Sequence, residues 1–175
     1  METNETIAKP SPWSVGLKFG VLLGLVSIAI NVVQTAVGFD PNENQAVNNI
    51  IGIVTSVAVL IFAHKNFKDN GDGFMSYAQG LGIATIMTVL STVILCVYMY
   101  VYFNMINPSA FSDIWDKVAA DMEAKGESDE AIEMAQQWGR KLFWIFFPLA
   151  MIFWGFIIGL IVSIFTQKKK PETTF

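Results

Sequence analysis

Apolar positions along the chain gather into four long blocks, Trp13 to Phe39, Val47 to Ala63, Ala78 to Ile106 and Leu142 to Phe165. Nearly all charge lies between them, and Lys18 is the one Lys, Arg, Asp or Glu inside any block. A helix needs roughly 20 largely apolar residues to cross the hydrocarbon core, so all four blocks qualify, the second being short. Lipid offers the backbone no hydrogen-bond partner, and a barrel would show short alternating strands instead. The pattern therefore predicts an all-α polytopic membrane protein, a bundle of four transmembrane helices with an amphipathic helical hairpin between helices three and four. The expected division is a cytoplasmic tail over 1–12, helices one to three over 13–106, an extracytoplasmic acidic hairpin over 107–141, helix four over 142–166 and a basic cytoplasmic tail over 167–175.

Each block carries a face of small or mildly polar residues. In the first, Gly16, Gly20, Gly24, Ser27, Asn31 and Gln34 fall within an arc of about 80° at helical spacing. Small residues let a neighbouring helix approach closely, and Asn and Gln can then hydrogen-bond across the contact. Gly155, Gly159 and Ser163 repeat the device in the fourth block, and Gly52 and Ser56 offer a weaker version in the second. Thr85, Thr88, Thr92 and Cys96 share a narrow arc in the third. Helix packing is the favoured reading of these stripes. The other reading makes Asn31, Gln34, Thr85, Thr88 and Thr92 the lining of a polar pathway. Pro148 should kink the fourth helix, since it cannot donate to the preceding turn.

Between blocks three and four, Phe111, Ile114, Trp115, Val118 and Met122 recur at helical spacing opposite Asp113, Asp116, Lys117 and Asp121. Asn107 is placed to cap this helix, Pro108 to open it, and Gly126 to close it with a left-handed residue. Ser128 begins a second helix with Asp129 and Glu130 in its first turn, where the helix dipole favours acids. Ile132, Ala135 and Trp138 carry its apolar face into the fourth block. The five large apolar residues form a docking face for the bundle, for lipid or for another protein. The shorter loop Lys68–Tyr77 holds two turn dipeptides, Asn70–Gly71 and Asp72–Gly73, with Phe74 and Tyr77 as headgroup anchors. A calcium loop on Asp69 and Asp72 fails on spacing, because glycine and aromatic residues occupy the later ligand positions.

Composition adds to this picture in a few places. The 175 residues are 53% hydrophobic, mean hydropathy is +0.48, and the net charge of −4 belongs to the loops. Cytoplasmic flanks are enriched in Lys and Arg. Lys9, Lys18, Lys65, Lys68 and Lys168 to Lys170 would share one side, against Lys117, Lys125, Arg140 and Lys141 on the other. This count leads one to expect both termini in the cytoplasm. The N-terminus lacks the pattern of a cleavable signal, so the first span is expected to remain as a signal anchor. No basic stripe suggests nucleic acid, and a single cysteine, Cys96, forms no intrachain disulfide.

Chemistry is sparse. His64 is the single histidine, placed at the end of block two, where an interfacial or snorkelling role is expected. No zinc-protease, paired-cysteine or phosphate-loop motif occurs, and no acid lies within a span. No catalytic residue, metal or cofactor is expected, and the chain is read as a non-enzyme.

Gly73–Phe74 with Tyr77–Ala78–Gln79–Gly80, then Ile106–Asn107–Pro108, then Lys125–Gly126–Glu127–Ser128, set in this order of spans, resemble the bacterial membrane protein family called domain of unknown function 4199. The resemblance implies a small four-span protein of the cell inner membrane and supplies no activity, site residue or cofactor. Asn107 stands where the family pattern leads one to expect aspartate, which argues against a ligand role for that corner. Two functions are carried forward. One is a non-enzymatic scaffold or accessory protein, its partners being the bilayer and either another membrane protein or a second copy of the chain. The other is a subunit of a small oligomeric channel or transporter.

Overall fold

The computed structural model describes residues 10–39 and 44–171. Among these, five α-helices form: α1 Pro12–Ala36, α2 Gln45–Asp69, α3 Tyr77–Val101, α4 Ser109–Ala124 and α5 Asp129–Thr166. A π-helical turn, Tyr102–Ile106, ends α3. Four of the helices, α1, α2, α3 with its π turn, and α5, are long and apolar enough to cross a membrane. Much of the expected tail 1–12, part of the first loop and the last residues of the basic tail lie outside the described residues.

Local chemistry sets the helix starts. Ser11 caps α1 and Ser76 caps α3, each in a reciprocal box with the residue three positions on, Ser14 and Gln79. These boxes satisfy first-turn amides that no intrahelical carbonyl reaches. Ser128 accepts from the Ala131 amide at the start of α5. Gly126, at φ 78°, closes α4, and the Glu127 amide returns to the Met122 carbonyl, the left-handed stop that glycine takes without strain.

Three boundaries differ from expectation. Helix α2 runs on to Asp69, beyond the apolar block ending at Ala63, because Leu60, Ala63, His64 and Phe67 keep one face buried there. The capping role expected of Asn107 is absent. Pro108 stands at the cap position without a side-chain bond, and the Ser109 hydroxyl donates to the Asn107 side chain. No helix boundary occurs near 141 either. The expected second arm and fourth span are one 38-residue helix, α5, which continues through Pro148.

Packing centres on α3. Helices α1 and α3 run parallel, and a Cβ added to Gly16, Gly20 or Gly24 would lie 2.7, 3.0 or 2.9 Å from Ile86, Leu90 and Ile94 in turn. Helix α5 runs antiparallel to α3, with Ser163 on Gly80, Gly159 on Ala84 and Gly155 on Thr88. The buried apolar residues are Val15, Phe19 and Leu23 of α1, Val59, Leu60, Ala63 and Phe67 of α2, Met75, Ile83, Ala84 and Met87 in and before α3, and Val162 of α5. By chain direction they concentrate at the end of the bundle where α1 and α3 begin and α2 and α5 finish. At the other end the helices expose large apolar side chains, including Val32, Val33, Ile50, Val97, Phe146 and Leu149.

Candidate functional site

The polar side chains within the spans are divided among several helix contacts. Asn31 accepts from the Tyr98 hydroxyl of α3 at 2.8 Å. Gln34, buried, donates to the Asn48 side chain of α2 at 3.2 Å. Thr85 returns its hydroxyl to its own helix at Leu81, and Thr88 packs against Gly155. Thr92 is buried, its hydroxyl without a hydrogen-bond partner. These five residues are thus dispersed: Asn31 faces α3, Gln34 faces α2, and Thr88 faces α5. Tyr98 and Asn48, their cross-helix partners, had no signal in the sequence beyond being polar groups in apolar runs.

The stripe residues occupy the two close seams. Gly16, Gly20 and Gly24 lie against α3, and Gly155, Gly159 and Ser163 lie against its opposite side. Ser27 is half-buried one turn further along α1.

His64 departs from expectation. It is fully buried, at 0% exposure, rather than snorkelling to an interface. The extension of α2 through Asp69 leaves it more than a turn inside the helix, and Lys68 is the residue that reaches out, its Nζ donating to the Thr166 carbonyl at 3.0 Å. The ring joins three helices: Nε2 lies 3.0 Å from the Gly80 carbonyl of α3, and Nδ1 lies 2.7 Å from the Thr166 hydroxyl of α5. A carbonyl only accepts, so Nε2 carries the hydrogen, and in the neutral ring Nδ1 must accept from Thr166. Thr166 Oγ1 also lies 2.8 Å from the Val162 carbonyl, so its single proton is contested by two acceptors. The recurrence of buried Leu60, His64 and Phe67 is the signal that could have placed the ring inward.

Toward the other end, α4 lies along the first turns of α5. Phe111, Ile114, Trp115, Val118 and Met122 are each half-buried, while Asp113, Asp116, Lys117 and Asp121 are exposed. Phe111 meets Phe103 of the π turn at 5.2 Å and Phe143 of α5 at 5.4 Å between ring centroids. Trp115 lies directly on Gly139, leaving no room for a Cβ there. Gln136 donates to the Trp115 carbonyl at 3.1 Å, and an exposed ion pair joins Arg140 to Asp116 at 3.4 Å. The Trp115 indole nitrogen is buried without a partner.

Among the described residues no group of three or more His, Cys, Asp or Glu side chains is placed to hold a metal ion. The four long apolar helices and their small-residue seams make this a multi-pass helical membrane protein. The family model described as protein of unknown function (DUF4199) matches residues 18–168, and the chain belongs to that family. No curated protein and no solved structure matches it.

Proposed function

We propose that the protein is a non-enzymatic scaffold or accessory protein of the cell inner membrane, with both termini cytoplasmic. In this reading α4 and the opening turns of α5 form an acidic hairpin on the outer side, which meets a basic partner. The observation that carries the reading is the two-sidedness of α4. Aromatic contacts of Phe111 and Trp115 hold one face on α5, and Asp113, Asp116, Asp121 and Glu123 remain exposed on the rest. Docking fixes the acids on a surface, where a partner need not order them; exposed acids alone bind weakly and are screened by salt. A supporting observation comes from within the spans, where Asn31, Gln34 and His64 hydrogen-bond across helices and so serve the bundle itself.

A photoreactive residue in place of Asp121 provides the test, in native membranes. The expected result is one discrete neighbour, lost when Asp113, Asp116 and Glu123 become amides. Flux of ions through liposomes holding the purified protein, abolished by Asn31→Leu, would overturn the scaffold reading in favour of a channel. Orientation is checked in a Cys96→Ser background. A cysteine at Ser128 should react with an impermeant thiol reagent from outside intact cells, and one at Asn70 should not.

A further inference from the structure

The lysines after α5 do not trail from the bundle as a free tail. Lys168 exchanges two backbone hydrogen bonds with Met75, amide to carbonyl at 2.8 and 3.0 Å, and Met75 is itself fully buried. The Lys168 ammonium sits 5.4 Å above the Phe74 ring, and Lys170 pairs with Asp72 at 2.6 Å. Asp72 Oδ1 also accepts from the Phe74 amide. Between the loop and the pinned segment lies an open cleft of about 260 Å³, lined by Asp72, Phe74, Met75, Ser76, Gln79 and Lys168 to Lys170.

Three lysines against one aspartate leave the lining net positive. The cleft is flanked by the start of α3 and the end of α5, both membrane-crossing helices, so it lies at the level of the lipid headgroups. Lysine clusters beside a span attract anionic lipid, about 1 kcal/mol for each Lys near the surface. What this chain adds is order at the first lysine: an ammonium of a mobile tail must be immobilised on binding, whereas the Met75 pairing fixes the Lys168 backbone in advance. The volume is below the ~300–1,000 Å³ of pockets that enclose a whole small molecule. It suits a phosphate group whose remaining substituents stay outside. The positive end of α3 adds to the same field.

We propose that this cleft binds a phosphate group, with Lys168, Lys169 and Lys170 as its cationic partners and Asp72 as the carboxylate that limits its affinity. The phosphate comes from an anionic phospholipid whose acyl chains lie along the bundle, or from a free phosphate.

Thermal stability of the whole protein in a neutral detergent, titrated in separate arms with phosphatidylglycerol, phosphatidylcholine and inorganic phosphate, tests this. Phosphatidylglycerol should raise the Tm saturably and phosphatidylcholine should not. Replacing Lys168, Lys169 and Lys170 together by Gln should weaken the apparent affinity on the order of 100-fold, and the three Arg replacements should restore it. Asp72→Asn keeps the Phe74 acceptor and should tighten binding several-fold, whereas Asp121→Asn, an equal charge change on α4, should not. Saturable stabilisation by inorganic phosphate, lost in the same Gln variant, would support the site and assign it the free anion. The site is overturned if the Gln variant binds as the parent does. It is equally overturned if Gln at Lys117, Lys125 and Lys141 weakens binding as much, or if Asp72→Asn and Asp121→Asn behave alike.

Discussion

The two halves of α5 are held by opposite means. From Gly155 to Ser163 the closest approaches of the helix to α3 are at small residues, Gly155 on Thr88, Gly159 on Ala84 and Ser163 on Gly80. From Ala135 to Phe147 it meets α4 and the π turn through Trp115, Phe111, Phe143 and Trp144. All three of its buried residues, Gly159, Val162 and Ser163, lie in the first of these stretches. Lipid is as apolar as a leucine side chain, so helices within it gain little by hiding large groups and gain by close backbone approach. Helix α4 carries charge on its open face, and its aromatic face is covered for the ordinary hydrophobic reason. One helix therefore packs by close backbone approach along one half and by aromatic contact along the other.

That contrast can be broken most forcefully at Trp115. Removing a large aromatic from a full core costs about 3–5 kcal/mol. Trp115 is half-buried, so Trp115→Asp should weaken the docking of α4 by about 2–3 kcal/mol, with the carboxylate adding to the loss. The readout is protease cleavage in the turn around Gly126, expected to become much faster while the Tm of the bundle in detergent holds. If Trp115→Asp is cut no faster than the parent, α4 is not docked and the comparison fails.

The small-residue seam should respond in the reverse sense. Gly155→Leu or Gly20→Leu forces apart helices already in contact and should lower the Tm by an amount corresponding to about 1–3 kcal/mol, without faster cleavage near Gly126. Val21→Leu, on the exposed side of α1, should be nearly silent. Equal sensitivity at Gly20 and Val21 would show that the stripe is not the seam.

His64 ties the end of α5 to α2 and α3, and hydrogen bonds between membrane helices contribute roughly 0.6–1.7 kcal/mol each. His64→Leu should therefore destabilise by about 1–2 kcal/mol. Thr166→Val should cost less, and the double variant should cost less than the two single losses together, since both remove one shared bond. Strict additivity would mean that the 2.7 Å contact between His64 and Thr166 contributes nothing. The smallest effect is expected at Asp116→Asn, which breaks an ion pair of two exposed side chains and should change the cleavage rate near Gly126 by less than about 0.5 kcal/mol in equivalent terms.

Hydropathy and helical periodicity are local properties, and what they govern was legible residue by residue. The four spans could be read because lipid excludes charge and unpaired backbone, whatever the helices later touch. The stripes of Gly16, Gly20 and Gly24 and of Gly155, Gly159 and Ser163 could be read for the same reason, as could the stop at Gly126 and the cap at Ser128. Which helix each stripe meets depends on residues far away in the chain, and any apolar face is acceptable to lipid, so exposure to lipid and burial look alike in sequence. Only the tertiary structure decided that α3 receives both seams, that Tyr98 and Asn48 answer Asn31 and Gln34, and that Trp115 rests on Gly139. His64 marks the same limit most clearly: a polar residue ending an apolar run reads as interfacial, and it became buried because Gly80 and Thr166, brought by two other helices, supply the hydrogen bonds that water would otherwise have to provide.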